Sequence, residues 1–155
     1  MSDDLKLITI RSHTDTDIPY IYSSWLEDYL SSHHIKQRDK KTRVIQAHVG
    51  CMPRELYFKE QRAKIDRIIK KSMVYVACNT EDEDQIFGYA VTHMQGKDLD
   101  INILSWIYVK PVYRGFGICN LLMNKIGQVD IVTHITPQRR WFLKKYQTIF
   151  NPYME

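Results

Sequence analysis

Apolar residues recur at two periods along this chain, and the switches between them outline the elements. Leu5 to Ile10 sets Leu5, Leu7 and Thr9 against Lys6, Ile8 and Ile10, which predicts a first strand. Thr14-Asp15-Thr16-Asp17 supplies capping oxygens and Pro19 suits a first helical turn. A helix is expected to follow to about Leu30, with Ile18, Ile21 or Tyr22, Trp25 and Tyr29 on one face. Residues 31 to 52 are polar and basic and read as a long loop or a short irregular helix. Pro53 opens the clearest helix. Glu55 lies in its first turn and Lys70-Lys71 in its last, which suits the macrodipole. Tyr57, Gln61, Ile65, Ile68 and Ser72 repeat at a helical period, with Phe58 and Ile69 flanking.

The second half reads mostly as strands. Met73 to Cys78 and Ile86 to Met94 flank the acidic turn 79–84 and predict a hairpin. Gln95-Gly96-Lys97-Asp98 makes another turn. Asp100 to Val109 becomes apolar on both faces at its end, as a central strand should. Ile118, Leu121, Leu122 and Ile126 define a helix with Gly127 as its cap. Asp130 to Ile135 reads as a strand, Thr136-Pro137 caps a helix carrying Trp141, Phe142 and Tyr146, and Thr148 to Tyr153 reads as a last strand. The connection from strand 100–109 through helix 117–127 to strand 130–135 predicts a parallel pair. Hairpins elsewhere make the sheet mixed, an α/β (α+β) class in a single domain over residues 1–155.

Composition narrows the setting. At 155 residues, with 44% hydrophobic and 26% charged, the chain suits one globular domain with a sizeable core. No apolar run approaches the ~18 residues of a membrane span. Met1-Ser2-Asp3-Asp4 is acidic and lacks a signal core. Cys51, Cys78 and Cys119 are far apart and form neither a disulfide framework nor a zinc pattern, so a reducing, cytoplasmic setting is expected. His33, His34, His48 and His93 offer no metal spacing. The net charge of +4 owes much to Lys36-Gln37-Arg38-Asp39-Lys40-Lys41-Thr42-Arg43. That run reads as a solvated loop or as a contact for an acidic partner, a nucleic acid or cofactor phosphates. No zinc-finger or RNP signature accompanies it.

The chemistry concentrates in Val109-Lys110-Pro111-Val112-Tyr113-Arg114-Gly115-Phe116-Gly117-Ile118-Cys119. A strand ends at a proline, a basic glycine turn follows, and an apolar helix begins. That order places backbone N–H groups at a helix N-terminus beside an arginine, a seat for a pyrophosphate. The turn lacks the Gly-Lys-Ser/Thr ending of a Walker loop. Asn120 stands where a dinucleotide fingerprint needs a third small residue.

The run resembles the phosphate-binding motif of the GCN5-related N-acetyltransferases, Arg/Gln-x-x-Gly-x-Gly/Ala after Val-x-Pro. Here the match is Arg114-Gly115-Phe116-Gly117-Ile118-Cys119 after Val109-Lys110-Pro111, with cysteine at the last position. The order of elements around it also resembles the family over nearly the whole chain. The resemblance implies a mixed sheet with helices on both faces, acetyl-coenzyme A as acyl donor, and direct transfer to an amine on a small molecule, a protein or a nucleobase. It implies that amides of residues 115 to 119 hold the pyrophosphate, with Gly115, Phe116, Gly117, Ile118 and Cys119 lining it and Arg114 adding charge. It also implies that Ile107, Tyr108 and Val109 pair with pantetheine, and that one of their amides polarises the thioester carbonyl. The acceptor site is expected among residues 20 to 58 and the chain's end, and pairing as a homodimer is common among relatives.

The catalytic residues match less well. Many members carry a glutamate on the strand before the motif. That zone holds Asn102, Ile103, Leu104 and Ser105, and the nearest carboxylate, Asp100, reads as the end of a turn. The family's tyrosine acid aligns with Leu143, and its asparagine with Thr136. Tyr146, one turn later, is the nearest substitute acid or else a core aromatic. His134, near the end of the second parallel strand, lines the same cleft or serves the core. An alternative is a module on the same fold that binds coenzyme A, a nucleic acid or a protein without efficient chemistry.

Overall fold

The computed structural model describes residues 7–32, 36–39, 44–47, 50–98, 100–136 and 139–155. The chain runs β1 (Ile8–Ser12), α1 (Ile18–Ser32), β2 (Lys36–Asp39), β3 (Val44–Ala47), β4 (Gly50–Pro53) and α2 (Arg54–Lys70). It continues through β5 (Met73–Asn79), β6 (Ile86–Gln95), β7 (Ile101–Val109), α3 (Ile118–Ile126), β8 (Ile131–Val132), α4 (Trp141–Lys145) and β9 (Ile149–Phe150). Six strands form the main sheet in the order β1-β5-β6-β7-β8-β9. The pairs from β1 to β7 are antiparallel, whereas β7–β8 and β8–β9 are parallel. The sheet is therefore mixed, and the parallel crossover through α3 stands as expected.

Alternation along the strands sends side chains to two cores. Val74, Val76, Tyr89, Val91 and Trp106 pack with Ile21 and Trp25 of α1 and Ile65 and Ile68 of α2. Ala77, Phe87, Ala90 and Leu104 pack with Ile118 and Leu122 of α3 and Phe142 of α4. Helices thus cover both faces, and this burial is the main stabilising contribution. Trp25 stacks on Trp106 with ring centroids 5.5 Å apart, fixing α1 over β7. Gly127 ends α3 with φ 85° and its N–H bonded to Met123 O, so it caps as the sequence predicts.

One stretch departs from expectation. Among the described residues of 31 to 52, the first two end α1 and the others form not a loop or an irregular helix but a second antiparallel sheet in the order β2-β3-β4. Lys36 pairs with Gln46, and Val44 with Pro53. Strands of four residues, Lys-Gln-Arg-Asp in β2, Val-Ile-Gln-Ala in β3 and Gly-Cys-Met-Pro in β4, are too short and irregular to show the alternation of a half-buried strand, so their pairing is invisible to periodicity. His33, His34, His48, the end of the basic run, Leu5 and Pro137 lie outside the described residues. The last two strands are also shorter than the predicted 130–135 and 148–153, with two residues each.

Two details shape β7. Val91 pairs with Trp106 and Thr92 with Leu104, so Ser105 is an extra residue, a bulge that bends the strand. Gly88 lies against β7 so closely that a Cβ there would sit 2.4 Å from Tyr108 O. Among the described residues no helix is long and apolar enough to cross a membrane.

Candidate active site

The site begins where two parallel strands separate. β8 pairs with β7 at Ile103–Ile131 and Leu104–Val132, and the Thr133 N–H reaches back to Leu104 O at 3.1 Å. Beyond the Ser105 bulge, β7 continues to Val109 alone on that side, while β8 has already ended. The gap opens into a cleft of about 390 Å³, lined by Ile107, Val109, Arg114, Gly117, Ile118 and Trp141 among others.

The glycine turn forms the mouth of this cleft. Pro111 opens a single 3-10 turn, and Arg114 then folds back so that its Nε donates to Val109 O at 3.0 Å. Gly115 and Gly117 take φ values of 88° and 82°, a left-handed backbone that other residues adopt at a cost. A Cβ on Gly115 would meet nothing within 4 Å, so the turn leaves open space on that side. Gly117 is the N-cap of α3, and the first intrahelical bond runs from Leu121 N to Gly117 O at 3.1 Å. The amides of Ile118, Cys119 and Asn120 therefore precede the helical ladder and are available to an anion. Lys145 lines the same end and donates to Asn120 Oδ1 at 3.0 Å. The residues present fit a pyrophosphate: free first-turn amides, open space at a left-handed glycine, and two cations.

Of the residues singled out from the sequence, Ile107, Val109, Arg114, Gly115, Gly117, Ile118 and Cys119 line this one cleft. Phe116 is exposed beside it. Burial pushes the Cys119 thiol up, only partly opposed by Tyr146. Tyr108 points elsewhere, into a concavity shared with Tyr20, Ser23, Ser24, Glu27 and Asp28. Burial first, and then the Asp28 carboxylate, push its phenol up, so Tyr108 stays protonated.

The two proton-transfer candidates stand apart from the main cleft. The Tyr146 hydroxyl donates to Asn120 Oδ1 and lies 3.8 Å from Cys119 Sγ, against α3. Burial first, and then Cys119, raise its pKa. His134 is buried, with Nδ1 2.9 Å from Thr133 Oγ1 and Nε2 3.3 Å from Glu155 Oε1. It lines a small cavity of about 20 Å³ together with Trp106, Ile107, Val132, Arg139 and Phe142.

Two residues without a motif complete the site. Arg139 Nη1 donates to Ile107 O at 3.1 Å, Nη2 lies 2.9 Å from Asp28 Oδ2, and the guanidinium stands 5.5 Å from the Trp106 ring. Arg114 Nη2 lies 3.8 Å from the other oxygen of Asp28. One carboxylate on α1 thus joins the two arginines that hold the Ile107 and Val109 carbonyls. One sequence signal for Asp28 exists. It falls at i+7 from Ile21 and i+3 from Trp25, on the stripe that faces the sheet. Arg139 carries no comparable signal.

The Acetyltransferase (GNAT) family model matches residues 19–129. Among curated proteins none matches. Solved structures match at the level of the fold. A protein of Pyrococcus furiosus assigned as an acetyl transferase shares 14% identity with a TM-score of 0.57, over 89% of this chain and 91% of that one. An acetyltransferase of Clostridium acetobutylicum, assigned by prediction and solved with acetyl-CoA, shares 17% identity with a TM-score of 0.53, over 90% of this chain and 88% of that one. A glucosamine N-acetyltransferase region of a fungal multi-domain β-N-acetylglucosaminidase shares 17% identity with a TM-score of 0.51, over 77% of this chain, which spans 12% of that protein. The chain belongs to the GNAT acetyltransferase family, whose members transfer an acyl group from acetyl-coenzyme A to an amine.

Proposed function

We propose that acetyl-coenzyme A lies along the free edge of β7 with its pyrophosphate on the α3 N-terminus, and that the acceptor is a cationic amine entering from the opposite side. The observation that carries this reading is the separation of β7 from β8 beyond Leu104, with the left-handed Gly115–Gly117 turn at the mouth of the gap. Acetyl-coenzyme A supplies an activated thioester. Arg114, Lys145 and the amides of residues 115 to 119 bind its phosphates. Ile107 and Val109 turn their backbone groups to the free edge and meet its extended arm as an added strand would, whereas Tyr108 turns its carbonyl to Gly88 of β6. Seating the arm displaces the Arg114 side chain from the Val109 carbonyl, while Asp28 and the Trp106 ring keep Arg139 in place.

The acceptor side is acidic and aromatic. A concavity of about 390 Å³ is lined by Tyr20, Ser23, Ser24, Glu27, Asp28 and Tyr108. Glu27 is exposed and has no ion pair among the described residues, so it is open to an incoming ammonium. Its carboxylate attracts the cation and takes the proton that the nitrogen must lose before it attacks. The test is release of free thiol from acetyl-coenzyme A across a panel of primary amines, with neutral and anionic nucleophiles as controls. Turnover confined to cationic amines is expected; equal turnover with anionic acceptors contradicts the reading.

A further inference from the structure

Transfer to an amine expels a thiolate, and the structure holds the nearest tyrosine of the last helix away from that event. Tyr146 is engaged by Asn120 and Cys119 on α3. A different group stands where the donor cleft narrows. Arg139 lines that cleft, and it also lines the small cavity of about 20 Å³ beside it, together with Ile107 and Phe142. The phosphate end of the cleft is fixed by the α3 N-terminus, Arg114 and Lys145. An arm running from there along β7 therefore ends at Ile107, whose carbonyl is 3.1 Å from Arg139 Nη1.

We infer that Arg139 is a catalytic residue that stabilises the coenzyme A sulfur as negative charge develops on it. The inference rests on the donor placement proposed above. The amine nitrogen adds to the thioester carbonyl carbon and the C–N bond forms. The C–S bond breaks with its electron pair on sulfur; the ammonium's first proton has left through Glu27 to water before attack, and the second leaves the nitrogen by the same route as the amide forms. The products are the amide and the thiolate, which water later protonates. A guanidinium keeps its proton throughout, so it acts by charge and hydrogen bonding rather than as an acid.

The surroundings leave that charge available. The groups facing Arg139 are Asp28 from α1, Arg114 from the glycine turn, Tyr108 from β7 and Cys119 from α3, with His134 across the small cavity. Among the described residues the one carboxylate on it is Asp28, which Arg114 shares. Two guanidiniums on one carboxylate leave a net positive charge at the arm's end. Arg139 is 22% exposed and stacked on Trp106, so water screens it little and its position is held.

The test is a pH titration of the thiol of bound coenzyme A, followed by ultraviolet thiolate absorbance. Saturating coenzyme A is added to the wild-type protein, R139K and R139Q. The bound thiol in the wild-type protein is expected to titrate at least about one unit below free coenzyme A. R139K keeps most of that shift and R139Q loses it. In turnover, R139Q lowers kcat about 100-fold while KM for acetyl-coenzyme A changes less than about threefold. A bound thiol that titrates like the free one, or alike in wild type and R139Q, overturns the inference and leaves the donor placement standing. Where R139Q fails to fold, a wild-type thiol that titrates like the free one still overturns the inference. Failure of the wild-type protein to bind coenzyme A overturns the placement and the inference together.

Discussion

Asp28 Oδ2 lies 2.9 Å from Arg139 Nη2, a contact that fastens the end of α1 to the approach to α4 across the open part of the sheet. The same carboxylate faces Arg114 and borders the acidic concavity, so donor and acceptor sides of the site share one residue. Asp28→Asn is expected to lower stability by about 1–2 kcal/mol, since both partners of the pair are only partly exposed. Urea unfolding measures it. In a double-mutant cycle with Arg139→Gln the coupling is expected to be about 1 kcal/mol, and strict additivity would deny the contact any energetic role.

The close approach of β6 to β7 gives a second expectation. A side chain at Gly88 meets the Tyr108 carbonyl, a backbone atom that cannot swing aside. Gly88→Ala is expected to cost about 2–4 kcal/mol and to shift β7, the strand that carries the donor edge. Equilibrium denaturation reads the cost, and a weaker apparent affinity for acetyl-coenzyme A reads the shift.

His93 makes stability depend on pH. It is buried, and neither ring nitrogen has a hydrogen-bond partner of normal geometry. Burial first, and then the Lys71 ammonium, hold its pKa below the ordinary imidazole value, with Gln95 opposing them weakly. The unfolded chain therefore takes up this proton at higher pH than the folded protein. The contribution of His93 is intact above the ordinary value of about 6.5 and is lost as pH falls below it. His93→Phe is expected to flatten the stability profile between about pH 7 and pH 5, with neutral-pH stability kept or raised. An unchanged profile in that variant would assign the pH dependence to other groups.

Glu27 separates the two substrates kinetically. Glu27→Gln is expected to raise KM for the amine about tenfold, a loss of ~1.4 kcal/mol, and to lower kcat about 100-fold because the base is lost, with KM for acetyl-coenzyme A unchanged. Steady-state kinetics with each substrate varied in turn distinguishes this from a general loss of folded enzyme.

What could be read from the chain depended on how local each signal was. The glycine turn announces itself because Pro111, Gly115 and Gly117 each answer a backbone demand within one short run. The elements that build the two cores were legible because β5, β6, β7 and α3 are apolar runs or repeats bounded by turn residues. The β2-β3-β4 sheet was not, since its four-residue strands are too short to show an alternation and its order comes from pairing with neighbours. The Ser105 bulge is a misregister between strands and leaves no mark on one of them. The Asp28–Arg139 pair joins distant segments, and an arginine before a short helix looks like any solvated charge until the sheet opens beneath it.

Donor binding depends on the seat at the end of β7. The most direct measurement is calorimetric titration of the wild-type protein and Arg114→Glu with coenzyme A. Arg114 is 46% exposed, so reversing its charge spares the fold, whereas a residue at Gly117 with φ 82° would also strain the backbone. One-to-one saturable binding by the wild-type protein, weakened at least about 30-fold in the variant with an unchanged circular dichroism spectrum, is predicted. Equal affinity in the two proteins would contradict it.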